Sequence, residues 1–124
     1  MQIADTSFLY ALFSETDEFH ARALREAGRA SHVSIPAEIL SETLALIHYR
    51  QGFQQARAAG EWIRAQASME ICSASRDVME RTWRLFGSSE GRLSYPDSIV
   101  IAWCQVQRAN PLAFDESILG YARS

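Results

Sequence analysis

Short apolar runs alternate with longer stretches of helical periodicity along this chain. The runs have the length and composition of buried strands, and the longer stretches repeat apolar residues at spacings of three and four. The predicted strands are Met1–Ala4, His32–Ile35, Met69–Cys72 and Leu112–Phe114. The predicted helices begin at Thr6, Thr16, Pro36, Phe53, Ser75, Ser94 and Glu116. This alternation predicts an α/β three-layer sandwich, with helices flanking a mostly parallel sheet of four or five strands.

The helix that begins at Ser94 is apolar almost all round, which predicts a buried helix. Its large apolar residues include Ile99, Ile101 and Trp103, and we expect Trp62 and Trp83 mostly to fill the core as well. Gly52 breaks one helical pattern, and the segment Gly87–Gly91 is expected to be a loop. No repeat or linker divides the 124 residues, so the prediction is a single domain over residues 1–124.

The charge composition excludes one simple function. Fifteen acidic residues outnumber twelve basic residues, all of them arginine, for a formal charge of −3. A protein held to nucleic acid by bulk positive charge is therefore excluded, although a local basic patch is not. No apolar run is long enough to span a membrane, and the N-terminus lacks the pattern of a secretory signal. Cys72 and Cys104 are interpreted as free thiols of a cytoplasmic protein, with a disulfide as the alternative.

Four acidic residues stand at positions where an α/β protein builds its active site. Asp5 and Asp115 follow the first and last predicted strands, Asp97 lies in the first turn of the buried helix, and Glu42 lies within a mostly apolar helix. Ligands of such sheets bind beyond the carboxyl ends of the strands. Each acid also has a purely structural interpretation. Asp5 and Asp115 are suitable helix caps, Asp97 can form a capping box with its helix, and Glu42 can be a half-exposed helix residue.

Clustered carboxylates repel one another unless they are protonated or share a cation. Mg²⁺ and Mn²⁺ prefer oxygen ligands, whereas zinc prefers the histidine and cysteine that this set lacks. Paired divalent ions can activate water and stabilise the leaving oxygen of a phosphodiester. An aspartyl phosphatase also begins with an aspartate at a strand end, but it needs a second aspartate where this chain has Ser7.

Four short motifs, in order and suitably spaced, resemble those of the PIN domain family. The motifs are Ile3–Leu9, Ile39–Leu44, Leu93–Ile99 and Leu112–Asp115, and they place Asp5, Glu42, Asp97 and Asp115 at the family's four acidic positions. The length most resembles that of the VapC toxins of toxin–antitoxin pairs. One departure is Ala113, where many members have threonine or serine two residues before the last acid.

The resemblance implies a PIN-like fold and a Mg²⁺- or Mn²⁺-dependent endoribonuclease. Asp5, Glu42, Asp97 and Asp115 would be both the metal ligands and the catalytic residues, and Ser7 would support them. The family's usual products carry a 5′-phosphate and a 3′-hydroxyl. The alternative is a PIN-like module that binds RNA or protein without catalysis.

The resemblance also implies partners: an RNA substrate, a cognate antitoxin that lies in an apolar groove near the active site, and a second copy of the chain in a homodimer, with no membrane. Candidate partner-surface residues are Phe8, Tyr10, Leu12, Phe53 and Trp62, although core packing is the competing interpretation for each. Candidate RNA-binding residues are Arg50, Arg57, Arg64, Arg76, Arg84 and Arg92, for which a solvated helix surface is the alternative.

Overall fold

A parallel four-stranded sheet forms the centre of the protein. The computed structural model describes residues 1–122. The strands are β1 (Gln2–Ala4), β2 (Val33–Pro36), β3 (Met69–Cys72) and β4 (Asn110–Leu112), in the order β3-β2-β1-β4. Every neighbouring pair is parallel, so the carboxyl ends of all four strands meet at one edge. The predicted sandwich with a mostly parallel sheet is thereby confirmed.

Seven helices flank the sheet within the described residues. They are α1 (Thr6–Phe13), α2 (His20–Arg29), α3 (Ala37–Gln51), α4 (Phe53–Ala65), α5 (Arg76–Ser88), α6 (Tyr95–Gln107) and α7 (Glu116–Ala122). The helix α1 packs on α2 and α3, and α3 packs on α4. A second group is formed by α6, which packs on α5, α7, β1 and β4. None of the helices in residues 1–122 is long and apolar enough to cross a membrane.

The core is built from the strands of the sheet and from α6. Ile3, Val33 and Ile35 are fully buried in the strands, and every residue of α6 from Ser98 to Cys104 is buried. The buried helix predicted from its apolar circumference is therefore confirmed. A parallel sheet buried on both faces needs apolar side chains on both sides of each strand. β2 places Val33 and Ile35 on one side of the sheet and the small buried Ser34 on the other.

Two predicted boundaries are clearly wrong. The second helix begins at His20 and not at Thr16, because Asp17 organises a turn by accepting the N–H of Phe19 at 2.8 Å. The last strand covers Asn110–Leu112, so Asp115 lies three residues beyond its end. This strand contains Pro111, which its position at the edge of the sheet permits. A smaller difference is that α5 continues through Ser88 into the predicted loop.

The expectation that all three tryptophans lie mostly in the core is correct only for Trp103. Trp103 is 3% exposed, whereas Trp62 is 43% and Trp83 is 66% exposed. Gly52, at φ +100°, separates α3 from α4, a conformation in which a side chain is strained. Cys72 and Cys104 are free thiols, so the disulfide alternative is wrong.

Candidate active site and metal centre

The strand order brings two of the four acids together. Because β1 and β4 are adjacent and parallel, Asp5 and the segment that leads to Asp115 leave the same edge of the sheet side by side. The backbone N–H of Asp5 donates to the carbonyl of Leu112 at 3.2 Å, which continues the strand pairing to the position of Asp5 itself. The helix α6, which carries Asp97 in its first turn, packs on both strands.

Asp5 is the most buried of the acids, with 3% of its surface exposed. Its carboxylate caps α1 by accepting the N–H of Phe8 at 2.9 Å, and it accepts the hydroxyl of Ser7 at 2.8 and 3.0 Å. Burial, helped by the charges of Asp97 and Asp115, raises the pKa of Asp5 to about 6 against the effect of these hydrogen bonds. Asp5 is therefore a helix cap and also a carboxylate that is costly to ionise.

Asp97 and Asp115 also have local partners. Asp97 belongs to a capping box, in which its N–H donates to the Ser94 hydroxyl at 3.1 Å. Asp115 accepts the N–H of Ser117 at 2.9 Å and its hydroxyl at 2.6 Å. Burial raises the pKa of Asp97, and the charges of Asp115 and Glu42 add to that increase. Capping accounts for the local hydrogen bonds, but it does not account for three elements bringing acids within electrostatic range of one another.

Glu42 is held toward this group by a side chain that follows Asp5. The hydroxyl of Thr6 donates to the Glu42 carboxylate and thereby ties α3 to the start of α1. Glu42 is exposed, yet its charge contributes to the raised pKa of Asp97. The structure therefore associates Glu42 with the other acids.

Ser7 joins the segments that follow the neighbouring strands β1 and β4. Its hydroxyl donates to Asp5 and accepts the backbone N–H of Phe114 at 3.0 Å. Phe114 is the residue before Asp115, so one hydroxyl touches the segments that carry both acids. Ala113, which replaces a hydroxyl residue common in the resembled family, is buried. The Ser7 hydroxyl is thus a bridge that does not depend on a side-chain hydroxyl at position 113.

The acids supply the ligand chemistry of a hydrated divalent cation. Within residues 1–122, no three histidine, cysteine or acidic side chains are gathered closely enough to hold a metal ion by themselves. Mg²⁺ keeps several waters in most protein sites and takes only one or two carboxylates directly. Carboxylate oxygens from Asp5, Asp97, Asp115 and Glu42, some acting through water, fit that mode of binding. The lack of sulfur and imidazole ligands disfavours zinc.

Thr6 is the residue of this site to which the sequence had assigned no role. Its contact with Glu42 joins residues 36 positions apart, which no local pattern encodes. The available signal was its position beside Asp5, at a strand end where polar side chains face the ligand site.

The candidate arginines differ in how freely they could meet RNA. Arg57 is paired with Glu61 at 3.0 Å on α4, and Arg50 lies over the ring of Tyr10 at 5.2 Å. Arg92 donates to the carbonyl of Ser89 at 3.0 Å. Arg76 is 4.0 Å from Glu80 on the highly exposed surface of α5.

Known structures share this architecture. VapC20 of Mycobacterium tuberculosis, described as a sarcin-ricin loop cleaving toxin, is 28% identical with a TM-score of 0.84, over 97% of this chain and 94% of that one. A toxin–antitoxin complex from Klebsiella pneumoniae is 24% identical with a TM-score of 0.61, over 90% of this chain and 83% of that one. FitAcB from Neisseria gonorrhoeae is 12% identical with a TM-score of 0.72, over 99% and 94%. The last two likenesses concern the fold alone.

Comparison with curated protein sequences found no match. The sequence profile of the PIN domain family, in contrast, matches residues 3–123. That range contains all four acids, and the order of strands and helices agrees with the structure of VapC20 over nearly the whole chain. The chain therefore belongs to the PIN domain family.

Proposed function

We propose that this protein is a Mg²⁺- or Mn²⁺-dependent endoribonuclease, acting as the toxin of a toxin–antitoxin pair in the cytoplasm. The observation that carries the proposal is the electrostatic coupling of Asp5, Asp97, Asp115 and Glu42 at the carboxyl edge of the sheet. Carboxylates gathered at one edge repel one another, and a bound divalent cation makes their arrangement favourable. A module that only binds RNA would have no use for this arrangement.

The chain's own residues would prepare the site for that cation. The bound metal supplies Lewis-acid polarisation of a phosphodiester and activation of water. Asp5, fixed by Ser7 and by the start of α1, would be the central ligand. Asp97 and Asp115 would bind from α6 and from the segment after β4, and Thr6 would hold Glu42 in place from α3. Ser7 would keep Asp5 and Asp115 in register by contacting both segments.

Structured RNA is the substrate class that the comparison with VapC20 suggests. That toxin is described as cleaving the sarcin-ricin loop, and its likeness to this chain extends over nearly the whole length of both. An RNA hairpin with the sequence of that loop is therefore the first substrate to test, beside unstructured RNA and transfer RNA.

The test is cleavage of labelled RNA by the wild-type protein with Mg²⁺ or Mn²⁺, with EDTA, and by Asp5→Asn and Asp97→Asn. We expect cleavage with metal, none with EDTA and a loss of at least about 100-fold in each variant, since removal of one important electrostatic group costs about that much. Glu38→Gln is the matched control on α3 and should retain activity. Undiminished cleavage by both aspartate variants would refute the assignment of this site as a ribonuclease active site.

An apolar groove offers a place for the proposed antitoxin. Leu12, Phe13, Leu24, Ala59 and Trp62 are among the residues that line a cavity of about 380 Å³ between α1, α2 and α4. Phe8, in contrast, is fully buried and cannot belong to a partner surface. The expected result is toxicity on expression that co-expression of a neighbouring gene relieves. Trp62→Asp in the groove should prevent that relief, so that the variant stays toxic in the presence of the neighbouring gene. A homodimer is also proposed, and light scattering of the purified protein tests it.

A further inference from the structure

A second group of large apolar side chains lies open to solvent on α5 and the first turn of α6. We call it the aromatic surface, and it consists of Met79, Trp83, Phe86 and Tyr95. Trp83 is 66% exposed, Met79 is 55% exposed, and Phe86 and Tyr95 are each 36% exposed. Soluble proteins seldom leave several large apolar side chains together at the surface unless the patch binds something. The proposed catalytic chemistry uses none of these side chains.

Ring contacts connect the aromatic surface to the helix that carries Asp97. The rings of Trp83 and Phe86 have centroids 6.0 Å apart, and those of Phe86 and Tyr95 are 5.6 Å apart with an edge-to-face angle of 79°. Tyr95 opens α6 and precedes Asp97 by two residues. These contacts place a row of aromatic rings beside the first turn of the helix that holds a proposed metal ligand.

Guanidinium groups accompany the aromatic rings. Arg76 and Arg84 lie with Glu80, Trp83 and Tyr95 around a depression of about 570 Å³. Arg76 and Glu80 are 4.0 Å apart, and both side chains are highly exposed. Their ion pair is therefore weak, and it leaves Arg76 available to another partner. Arg84 forms no ion pair within the described residues. Among the charged residues that line the depression, two arginines stand against one glutamate, although the whole chain is acidic.

We propose that the aromatic surface binds unpaired nucleotides of the RNA substrate beside the cleaved phosphodiester, with a base stacked on Trp83 and phosphates near Arg76 and Arg84. This inference rests on the proposed function, because it positions the substrate of that same site. Aromatic platforms flanked by basic side chains are a general means of binding single-stranded nucleic acid. RNA supplies a negative charge at every nucleotide, and Arg84, which forms no ion pair within the described residues, is available to meet it.

Binding without cleavage isolates this surface from the metal site. We would measure the anisotropy of a fluorescent oligouridine in EDTA, for the wild type, Trp83→Ala, Trp83→Phe and Trp62→Ala. Loss of one stacked base corresponds to about a 5- to 100-fold weaker Kd, so Trp83→Ala should lie in that range. Trp83→Phe retains a ring and should bind within about threefold of the wild type. Trp62→Ala removes the other exposed tryptophan, on α4, and should leave the Kd unchanged.

The arginines have a separate signature in the salt dependence. Each phosphate contact to single-stranded nucleic acid contributes about 0.7 to the slope of log K against log salt concentration. Arg84→Gln should lower that slope by about this amount, and Trp83→Ala should not. Inorganic polyphosphate, which has charge but no bases, should lose affinity for Arg84→Gln and keep it for Trp83→Ala. Thermal melts of all variants control for folding. Because Trp83 and Arg84 are both exposed, we expect their substitution to leave the Tm nearly unchanged.

Three results would overturn the inference. They are an unchanged Kd for Trp83→Ala, no binding of oligouridine by the wild type in EDTA, and dissociation of a dimer by Trp83→Ala, which would make the surface a contact between copies. The proposed function fails separately, if Asp97→Asn cleaves RNA as the wild type does. Loss of cleavage in Asp97→Asn together with normal RNA binding by Trp83→Ala would refute only the role of the aromatic surface.

Discussion

Asp5→Asn should make the metal-free protein more stable at neutral pH, although Asp5 is the residue that caps α1. Burial raises the pKa of Asp5 from 3.8 to about 6. Each pKa unit corresponds to about 1.4 kcal/mol, so ionising Asp5 in the folded protein costs about 3 kcal/mol. Asparagine is neutral and keeps one oxygen to accept the N–H of Phe8. Allowing for the weaker hydrogen bonds of an amide, we expect a gain between about 1 and 3 kcal/mol.

The sign of the pH dependence follows from the raised pKa. Wild-type stability associated with Asp5 is fully present below pH 3.8, where the carboxyl is protonated in both states, and is lost as the pH rises toward about 6. The advantage of Asp5→Asn should therefore be largest at pH 7 and disappear near pH 4. Urea unfolding in EDTA at several pH values measures this difference. Asp17→Asn is the matched control, because Asp17 also accepts a backbone N–H but lies in the turn before α2.

A divalent cation should reverse the order of stability. A ligand that binds only the folded state stabilises it by about 4.1 kcal/mol at 1,000 times its Kd, which exceeds the gain of about 1 to 3 kcal/mol expected from Asp5→Asn. Mn²⁺ should therefore raise the Tm of the wild type and leave that of Asp5→Asn nearly unchanged. The reasoning is refuted if Asp5→Asn is less stable than the wild type in EDTA at pH 7. A stability difference that is the same at pH 4 and pH 7 would refute it equally.

Three further outcomes test the supporting structure. Thr6→Val removes the hydroxyl that holds Glu42 and should weaken Mn²⁺ binding about 10-fold by calorimetry, whereas Thr6→Ser should retain it; equal affinities would contradict the role of the hydroxyl. Ser7→Ala leaves the N–H of Phe114 without its partner and should cost about 1–2 kcal/mol in urea unfolding, and no loss would show that the bridge is dispensable. Trp103→Ala should cost about 3–5 kcal/mol, because the ring is buried in the core, and a loss below about 1 kcal/mol would contradict its packing.

Elements with a clear local signal could be predicted closely from the sequence. The helix α1 begins at Thr6 as predicted, because Asp5 caps it and apolar residues repeat along one face. Ser75 and Ser94 begin α5 and α6 as helix caps, as predicted. The start of α2 could not be predicted in the same way. Asp17 offers a capping side chain for either a helix or a turn, and the tertiary structure selects the turn.

The exposure of the tryptophans depended on tertiary contacts that the sequence does not express. Trp62, Trp83 and Trp103 all lie on helices with apolar neighbours, yet only Trp103 is buried. The reason is that α6 lies against the sheet, whereas α5 packs mainly on α6 and turns its other side to solvent. Helical periodicity indicates that an apolar side exists, but it does not indicate whether a second element covers that side.

The acidic residues of the candidate site could be predicted from the sequence, but the hydrogen bonds that hold them in place could not. Asp5 and Asp115 stand after strands that prove to be neighbours, and residues that follow the strands of a parallel sheet are expected to share one ligand site. Thr6 and Glu42 meet across 36 residues, and the N–H of Phe114 reaches Ser7 across 107 residues. Such contacts depend on the assembled fold. The catalytic assignment of these residues stays a prediction until a variant is assayed.

The central claim is that the four acids together hold a divalent cation, and a crystal of the wild-type protein grown with Mn²⁺ tests it most directly. We predict an anomalous peak at the carboxyl edge of the sheet, bound directly by Asp5 and at least one of Asp97 and Asp115, with waters completing the shell. The same experiment on Asp5→Asn should give no peak there. An empty carboxyl edge in wild-type crystals at millimolar Mn²⁺, or a peak only at another part of the surface, would contradict the claim.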